Sequence, residues 1–346
     1  MRNRSYGKAV ASIVLAACVL VSGCTANPQD TGGDPISSTG FMLDTVITIT
    51  LYDGLSQDNL NGALEVCAKY EQLLSKTIEG SDVWRINHAQ GAPTEVHDDT
   101  IEVIRTALKY SELSDGAFDI TIGPASNLWD FKNNDPKVPD ADLLAAAVSL
   151  VDYRNVKVEG NTVTLLDADA QIDLGAIAKG YIADKVVEYL ASRGVTSAIV
   201  NLGGNVYAMG NKGGNDWTIG LQDPFKRRNT PISAVKLQNK SIVTSGIYER
   251  YFKTEDGTFY HHILDPKTGY SVNNGLASVT IISDKSIDGD ALTTCCFVLG
   301  LEKGMQLVKS IEGVEAIFID ENEQAYMTEG IGGENGIPYL TTEDLG

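Results

Sequence analysis

Cysteine is sparse in this chain: there are five among 346 residues, and none falls in a Cys/His spacing that would hold a metal. Cys18 and Cys24 belong to the N-terminal segment, which leaves Cys67, Cys295 and Cys296. Three is an odd number, and two adjacent cysteines form a poor disulfide, so a disulfide-stapled scaffold is excluded. All three read as buried small hydrophobes. Positive charge is also short, with 27 Lys and Arg against 46 Asp and Glu and a formal net charge of -19. That balance argues against nucleic acid or an anionic lipid surface as the main partner. Beyond the N-terminus no apolar run is long enough to cross a membrane, and no internal repeat is visible. What is present is an apolar fraction of 43%, ordinary for a folded protein, in a chain that can bury a full core as one large domain or two smaller ones.

Residues 1–23 form a segment of another kind. Arg2, Arg4 and Lys8 make a basic start, and residues 9–20 an apolar stretch too short for a bilayer. Val21-Ser22-Gly23-Cys24 resembles a bacterial lipobox, in which Cys24 is lipidated and becomes the first mature residue. Two acyl chains on its glycerol (palmitate-type anchoring) hold a protein to a membrane stably where a single chain does not. Removing residues 1–23 takes away three positive charges and no acid, moving the net charge from -19 to -22. The expected location is therefore extracytoplasmic, lipid-anchored to the bacterial cell membrane. Residues 24–40 read as the lipidated cysteine and a flexible tether, since 25–38 are rich in Pro, Gly, Ser, Thr and Asp.

Alternating β-branched residues predict a strand at 44–52, and helical spacing predicts helices at 59–74, 99–113 and 141–150. A hairpin is expected at 155–166, a helix at 176–193 closed by Gly194, and a buried strand at 197–202. Further strands are expected at 216–222, 232–237, 257–264, 277–283, 314–319 and 324–328, with a helix from Asp290 to about Leu299. Strands and helices without strict alternation point to layered α+β architecture.

Four stretches besides the helix start at 176 carry candidate chemistry. Residues 116–129 surround Asp119 with apolar neighbours before Gly123-Pro124, a costly place for a carboxylate unless it is hydrogen-bonded. Residues 200–206 run a strand into Gly203-Gly204, a turn that permits close backbone approach. His261 and His262 end a strand before an Asp-Pro turn. Adjacent strand residues point to opposite faces, so at most one of them lines a given cleft, where it suits a general base. Asp290 and Thr294 lie four apart on one helix face, an arrangement for holding Mg²⁺ or simply for capping and packing.

Residues 173–181, Asp-Leu-Gly-Ala-Ile-Ala-Lys-Gly-Tyr, tie these together. An acid, two glycines and a lysine stand where a strand gives way to a helix, whose free N–H groups attract phosphate. A phosphate-attracting helix start, an oxygen-rich metal position, a histidine and exposed backbone suit chemistry on a phosphate anhydride with Mg²⁺.

The markers follow one another as Phe41-Met42-Leu43-Asp44-Thr45-Val46, Ser81-Asp82-Val83-Trp84-Arg85-Ile86-Asn87, Phe118-Asp-Ile-Thr-Ile-Gly-Pro and Ile172-Asp-Leu-Gly-Ala-Ile-Ala-Lys-Gly-Tyr. They continue as Val200-Asn-Leu-Gly-Gly-Asn, Val243-Thr-Ser-Gly, His262-Ile-Leu-Asp-Pro-Lys-Thr-Gly and Asp290-Ala-Leu-Thr-Thr. In this order they resemble the FAD:protein FMN transferases, the ApbE-type flavin transferase lipoproteins, over about residues 41–330. The resemblance implies an α+β fold of layered mixed sheets with helices packed outside, and a catalytic domain at 41–340. It implies FAD as substrate in a cleft with Mg²⁺ at its pyrophosphate. FMN would pass to a Thr or Ser hydroxyl of an acceptor flavoprotein of the electron-transfer type, with release of AMP. Carried over by position, the metal site is Asp290, Thr294 and the backbone carbonyl of Ala176. The flavin contacts are Met42, Ala117, Phe118, Asp119, Asp173, Lys179 and Ile263. His262 matches the catalytic base, and His261 a position that varies. Two positions depart from the pattern: Thr77 stands where many relatives stack an aromatic on the flavin, and Leu43-Asp44 replaces a commoner glycine. Two other readings stand beside transfer: Mg²⁺-dependent hydrolysis of FAD to FMN and AMP, and a non-catalytic flavin-binding lipoprotein. A mere binder needs neither His262 nor the Asp290–Thr294 pair.

Overall fold

A computed structural model describes residues 33–131 and 136–345. The signal segment and the lipidation position Cys24 lie outside the described residues. The main sheet has eight strands: β1 (Ile36–Met42), β2 (Thr45–Leu51), β3 (Ala198–Leu202), β4 (Asn205–Met209), β5 (Lys240–Gly246), β6 (Leu276–Ser283), β7 (Glu315–Asp320) and β8 (Ala325–Met327). They stand side by side in chain order, and each neighbouring pair is antiparallel. Four principal helices fill the long connections: α1 (Gln57–Leu74), α2 (Asp98–Leu113), α3 (Ala178–Ser192) and α4 (Ser286–Lys309).

Period-two patterning decides which layer each strand residue joins. Ile47, Ile49 and Leu51 of β2, Val200 of β3, Val279 and Ile281 of β6 and Phe318 of β7 bury toward the helices. There they meet Leu60, Ala63 and Cys67 of α1 and Ile182 and Val186 of α3. Their outward neighbours Ile199, Ile282, Ile317 and Ile319 pack instead with Trp217, Leu221, Val235 and Leu237. Those belong to a second, three-stranded sheet of Trp217–Gln222, Pro231–Leu237 and Tyr339–Thr341. The molecule is thus helices, main sheet and small sheet in layers, the α+β arrangement expected. Each fully buried Ile or Leu contributes about 1.5–3 kcal/mol to holding these layers together. A third small core gathers Trp129, Phe252, Leu144 and Leu264 beneath the ribbon formed by Tyr251–Lys253 and Phe259–His261. Cys67, Cys295 and Cys296 are free and buried, as expected for small hydrophobes.

The boundaries differ from the sequence expectation at both ends. Residues 36–40, assigned to the tether, are the start of β1. An edge strand with one solvated face tolerates Ser, Thr and Gly, and here Ser37–Thr50 and Thr39–Thr48 pair hydroxyl to hydroxyl across the ladder. At the other end Thr341 pairs with Ser233, so the folded unit runs past residue 340. The strand expected at 257–264 is only Phe259–His261. The helix expected from Asp290 begins at Ser286, and Gly300 at φ 79° breaks it where its end was expected, after which a further segment continues to Lys309.

Candidate active site

Helices α3 and α4 cross at Gly180, where a Cβ would stand 2.3 Å from the Ser286 carbonyl oxygen. Glycine there lets the two backbones approach closely. It also brings Asp290, only 3% exposed, against the start of α3. Its Oδ2 accepts the Gly180 N–H at 2.9 Å, and Lys179 Nζ stands 3.3 Å from Oδ1. Asp290 is not the cap of its helix. The two carboxylate oxygens of Asp184 take the N–H groups of Ser286 and Ile287 at 2.7 and 3.0 Å, which is the capping duty. In a regular helix the Gly180 amide would bond to the carbonyl four residues earlier. Here it turns to Asp290, and the Ala176 carbonyl has no amide partner among the described residues. The helix start is therefore not a free anion nest: Ala178 N–H goes to the Leu174 carbonyl at 2.9 Å and Gly180 N–H to a carboxylate. The positive group left is the Lys179 ammonium. One turn after Asp290, the Thr294 hydroxyl has no hydrogen-bond partner among the described residues. Thr293 fixes the backbone instead, donating to the Asp290 carbonyl at 2.8 Å while Ser245 donates to it at 2.9 Å.

Asp173 stands two residues before the glycine whose carbonyl accepts from Lys179 at 3.2 Å. Its Oδ1 takes the Gly175 N–H at 2.9 Å, and its Oδ2 meets Lys76 Nζ at 2.7 Å and Ser126 Oγ at 3.0 Å. Burial alone would raise this carboxyl, but the Lys76 charge and these hydrogen bonds outweigh it and hold it below the usual range. Lys76 follows α1 directly and is also held by Asn127 at 2.7 Å. It closes a connection to the loop carrying Asp119, since the Asp173 N–H donates to the Ile120 carbonyl at 2.7 Å.

The two histidines separate as strand geometry requires. His261 is buried, its Nε2 bonded to the Val272 carbonyl at 2.8 Å and its ring beside Phe297. His262 is half-buried, and its Nδ1 is shut from solvent without a hydrogen-bond partner among the described residues. Burial first, then the charge of Arg250, the neighbouring His261 and the charge of Lys179, push its pKa down to about 3, so the ring is neutral at physiological pH. Arg250 receives the His262 N–H on its own carbonyl at 3.1 Å and reaches the Asp44 carbonyl with its guanidinium at 3.1 Å. Leu43 and Asp44 make the β1–β2 turn with φ of 56° and 57°, left-handed values demanded by a two-residue hairpin.

Asp119 ties its own loop to the turn at Tyr153. Its oxygens accept from the Thr121 N–H at 2.8 Å, the Thr121 hydroxyl at 2.6 Å and the Tyr153 N–H at 2.9 Å, and burial pushes its carboxyl up. Nearby, a cleft of about 490 Å³ is lined by Ala117, by Asp265 and Lys267 of the turn after His262, and by Val298 and Leu299 of α4. Met42 leads into the turn that Arg250 grips, and Ile263 is buried next to His262. The motifs are thus drawn into one chain of contacts: Ile120 to Asp173, through Gly175 to Lys179, on to Asp290, with the Lys179 charge acting on His262. Lys76, Ser126 and Arg250 are the members that sequence reasoning missed. Their partners lie 47 or more residues away, and no local pattern announces such pairings.

A profile of the ApbE family matches residues 43–318. The chain belongs to the ApbE family. Among its relatives is an FAD:protein FMN transferase of Klebsiella pneumoniae, 41% identical over 76% of this chain and 83% of its own length. Another is the FAD:protein FMN transferase of Treponema pallidum, 36% identical over 84% of this chain and 86% of its own. The crystal structure of an ApbE protein from Thermotoga maritima superposes with a TM-score of 0.78 at 32% identity, covering 86% of this chain and 97% of that one. The layered sheets and helices described above are therefore those of ApbE proteins of known structure.

Proposed function

We propose that this ApbE-family chain moves FMN from FAD to a Thr or Ser hydroxyl of an acceptor flavoprotein, releasing AMP, with Mg²⁺ bound at Asp290, Thr294 and the Ala176 carbonyl. The work takes place outside the cytoplasmic membrane, on a protein anchored through Cys24. The observation that carries the reading is the turn of the Gly180 amide to the buried Asp290 carboxylate, which leaves the Ala176 carbonyl without an amide partner among the described residues; the Thr294 hydroxyl, one turn after Asp290, is likewise unengaged there, and the Lys179 charge held by Asp290 acts on the neutral His262. The donor set fits the metal. One carboxylate and two neutral oxygens are hard ligands, few enough to leave positions for water and substrate phosphate. No cluster of three or more His, Cys, Asp or Glu able to hold a metal occurs among the described residues, so a softer ion gains nothing here.

Mg²⁺ bound at these three oxygens supplies charge neutralisation at the pyrophosphate. Lys179 adds a fixed ammonium against the same charge, held at its post by Asp290 and the Gly175 carbonyl. Asp173 stays ionised through Lys76 and offers an acceptor to a polar edge of the flavin. The neutral imidazole of His262, with Nδ1 unpartnered, receives the proton of the acceptor hydroxyl, which is a poor nucleophile without an adjacent base. The charges of Arg250 and Lys179 that depress His262 are those an anionic substrate compensates, so substrate binding restores basicity to the ring. Hydrolysis of FAD is the second reading, favoured by the absence of a flavin-stacking aromatic at Thr77, which turns back on Ser75.

Incubation of the soluble domain with FAD, Mg²⁺ and a flavin-acceptor domain tests the reading. Covalent flavin fluorescence should appear on the acceptor in a gel and fall by about 10²–10⁴ in rate for His262→Ala, the usual worth of a positioned base. FMN and AMP without labelled acceptor would establish the hydrolase instead, and unchanged FAD a binder.

A further inference from the structure

The antiparallel ribbon of Tyr251–Lys253 and Phe259–His261 runs directly into His262. It is organised by aromatics that face outward. Tyr251 is 51% exposed and stacks near Phe259 at 5.0 Å between centroids, with Lys253 over the Phe259 ring at 5.7 Å. Two neighbours join it. The β1–β2 hairpin, gripped by Arg250 through the Asp44 carbonyl, presents Phe41 and Val46 as a cross-strand pair, 73% and 37% exposed. The second is the loop Phe225-Lys226-Arg227-Arg228, in which Phe225 is 44% exposed and which Arg228 ties to Glu249, two residues before Tyr251. This loop is pre-organised. Buried Asp223 accepts the Phe225 N–H at 2.9 Å and pairs with Lys226 at 2.9 Å, the Asn229 N–H bonds to Gln222 at 2.7 Å, and Arg228 binds Glu249 at 2.8 Å. Arg227 is exposed and has no ion-pair partner among the described residues.

An exposed apolar surface rimmed by charge marks an interaction site. Its sign is what identifies the partner here. In a chain of net charge -19, the exposed Arg227 stands against the field of the whole molecule, its neighbours Lys226 and Arg228 being paired with Asp223 and Glu249. An acidic protein segment is repelled by most of this surface and drawn to that corner. The corner is also continuous with the strand that delivers His262, where an acceptor hydroxyl has to arrive.

We infer that the Tyr251–Phe259 ribbon, the Phe41–Val46 pair and the Phe225–Arg228 loop form the docking surface for an acidic segment of the acceptor protein that carries the Thr or Ser. This rests on the transferase reading above. The aromatics supply the anchor, and Arg227 selects for acidic flanks and speeds encounter.

The test uses a flavin-acceptor domain in two forms, one with acidic residues flanking its Thr and one with those acids changed to Asn and Gln. Tyr251→Ala and Arg227→Glu are measured for labelling rate, for FAD affinity and for KM toward each acceptor. Tyr251→Ala should raise the acceptor KM about 10-fold, the effect of removing an aromatic anchor, with FAD affinity and kcat unchanged. Arg227→Glu should raise KM about 5-fold for the acidic acceptor only, and added salt should erase that difference. Labelling with KM unmoved by either variant overturns the docking surface alone. No labelling by the unsubstituted protein overturns the transferase reading and this surface with it. Unchanged KM together with Tyr251-dependent sedimentation on phosphatidylglycerol vesicles assigns the patch to the membrane and overturns the acceptor assignment.

Discussion

His262 is neutral because it is buried and because Arg250 and Lys179 face it. A group whose folded pKa lies below its ordinary value keeps its neutral form as pH falls through the ordinary range. An unperturbed histidine loses its base form near pH 6.5. For this one the kcat/KM profile, which reports the free enzyme, should show no acid limb from His262 until pH about 3. The kcat profile, which reports the loaded enzyme, should show its acid limb at higher pH, because bound phosphate offsets the two cations. An inflection of kcat/KM near 6.5 assigned to His262 by its loss in His262→Ala would contradict this account. Part of the arrangement is legible in the sequence: Lys179 and Asp290 stand 3.3 Å apart, the Lys179 charge acts on His262, and His261 is buried on the Val272 carbonyl instead. The motif around Asp119 does not announce its partners, the Thr121 hydroxyl and N–H and the distant Tyr153 N–H. Lys76 and Arg250 were not legible, because their partners Asp173 and Asp44 are 97 and 206 residues distant and only the folded chain brings them together.

At the scale of elements, the crossing of α3 and α4 makes the site. Gly180 removes a side chain where the backbones meet, and its amide leaves the helix ladder to bind Asp290. Gly180→Ala forces a methyl to 2.3 Å from the Ser286 oxygen. Overpacking of this kind costs about 1–3 kcal/mol, to be read as a lowered urea midpoint with unchanged slope. The accompanying shift of Asp290 should cost activity out of proportion to the lost stability. A variant of undiminished midpoint and full activity would show that the close approach is not needed. The helices were legible because their apolar spacing is regular and because Gly194 closes α3. Strands β1, β4 and β5 were not. β1 is an edge strand built of Ser, Thr and Gly, and β4 follows two glycines that read only as a turn. Edge position and neighbouring strands, which sequence does not display, give such segments their ladders.

For the whole molecule, the meander of eight antiparallel strands places the turn at Leu43-Asp44, the Gly203-Gly204 turn and the end of β5 along one side, with the long connections supplying helices. The layers themselves followed from alternation in the sequence, since each strand divides its residues between the helical core and the small sheet. What the pattern left open was the assembly: which ends meet, and that the segments at 120, 173–180 and 290 are joined by direct contacts. Its unity can be tested by the metal requirement. With FAD and an acceptor domain, flavin attachment should rise and saturate with added Mg²⁺ in the unsubstituted protein. In Asp290→Ala it should fall by about 10³ or more, the several kcal/mol that a metal's charge stabilisation supplies, and the residual rate should not respond to Mg²⁺. Full, Mg²⁺-dependent attachment by Asp290→Ala would contradict the account.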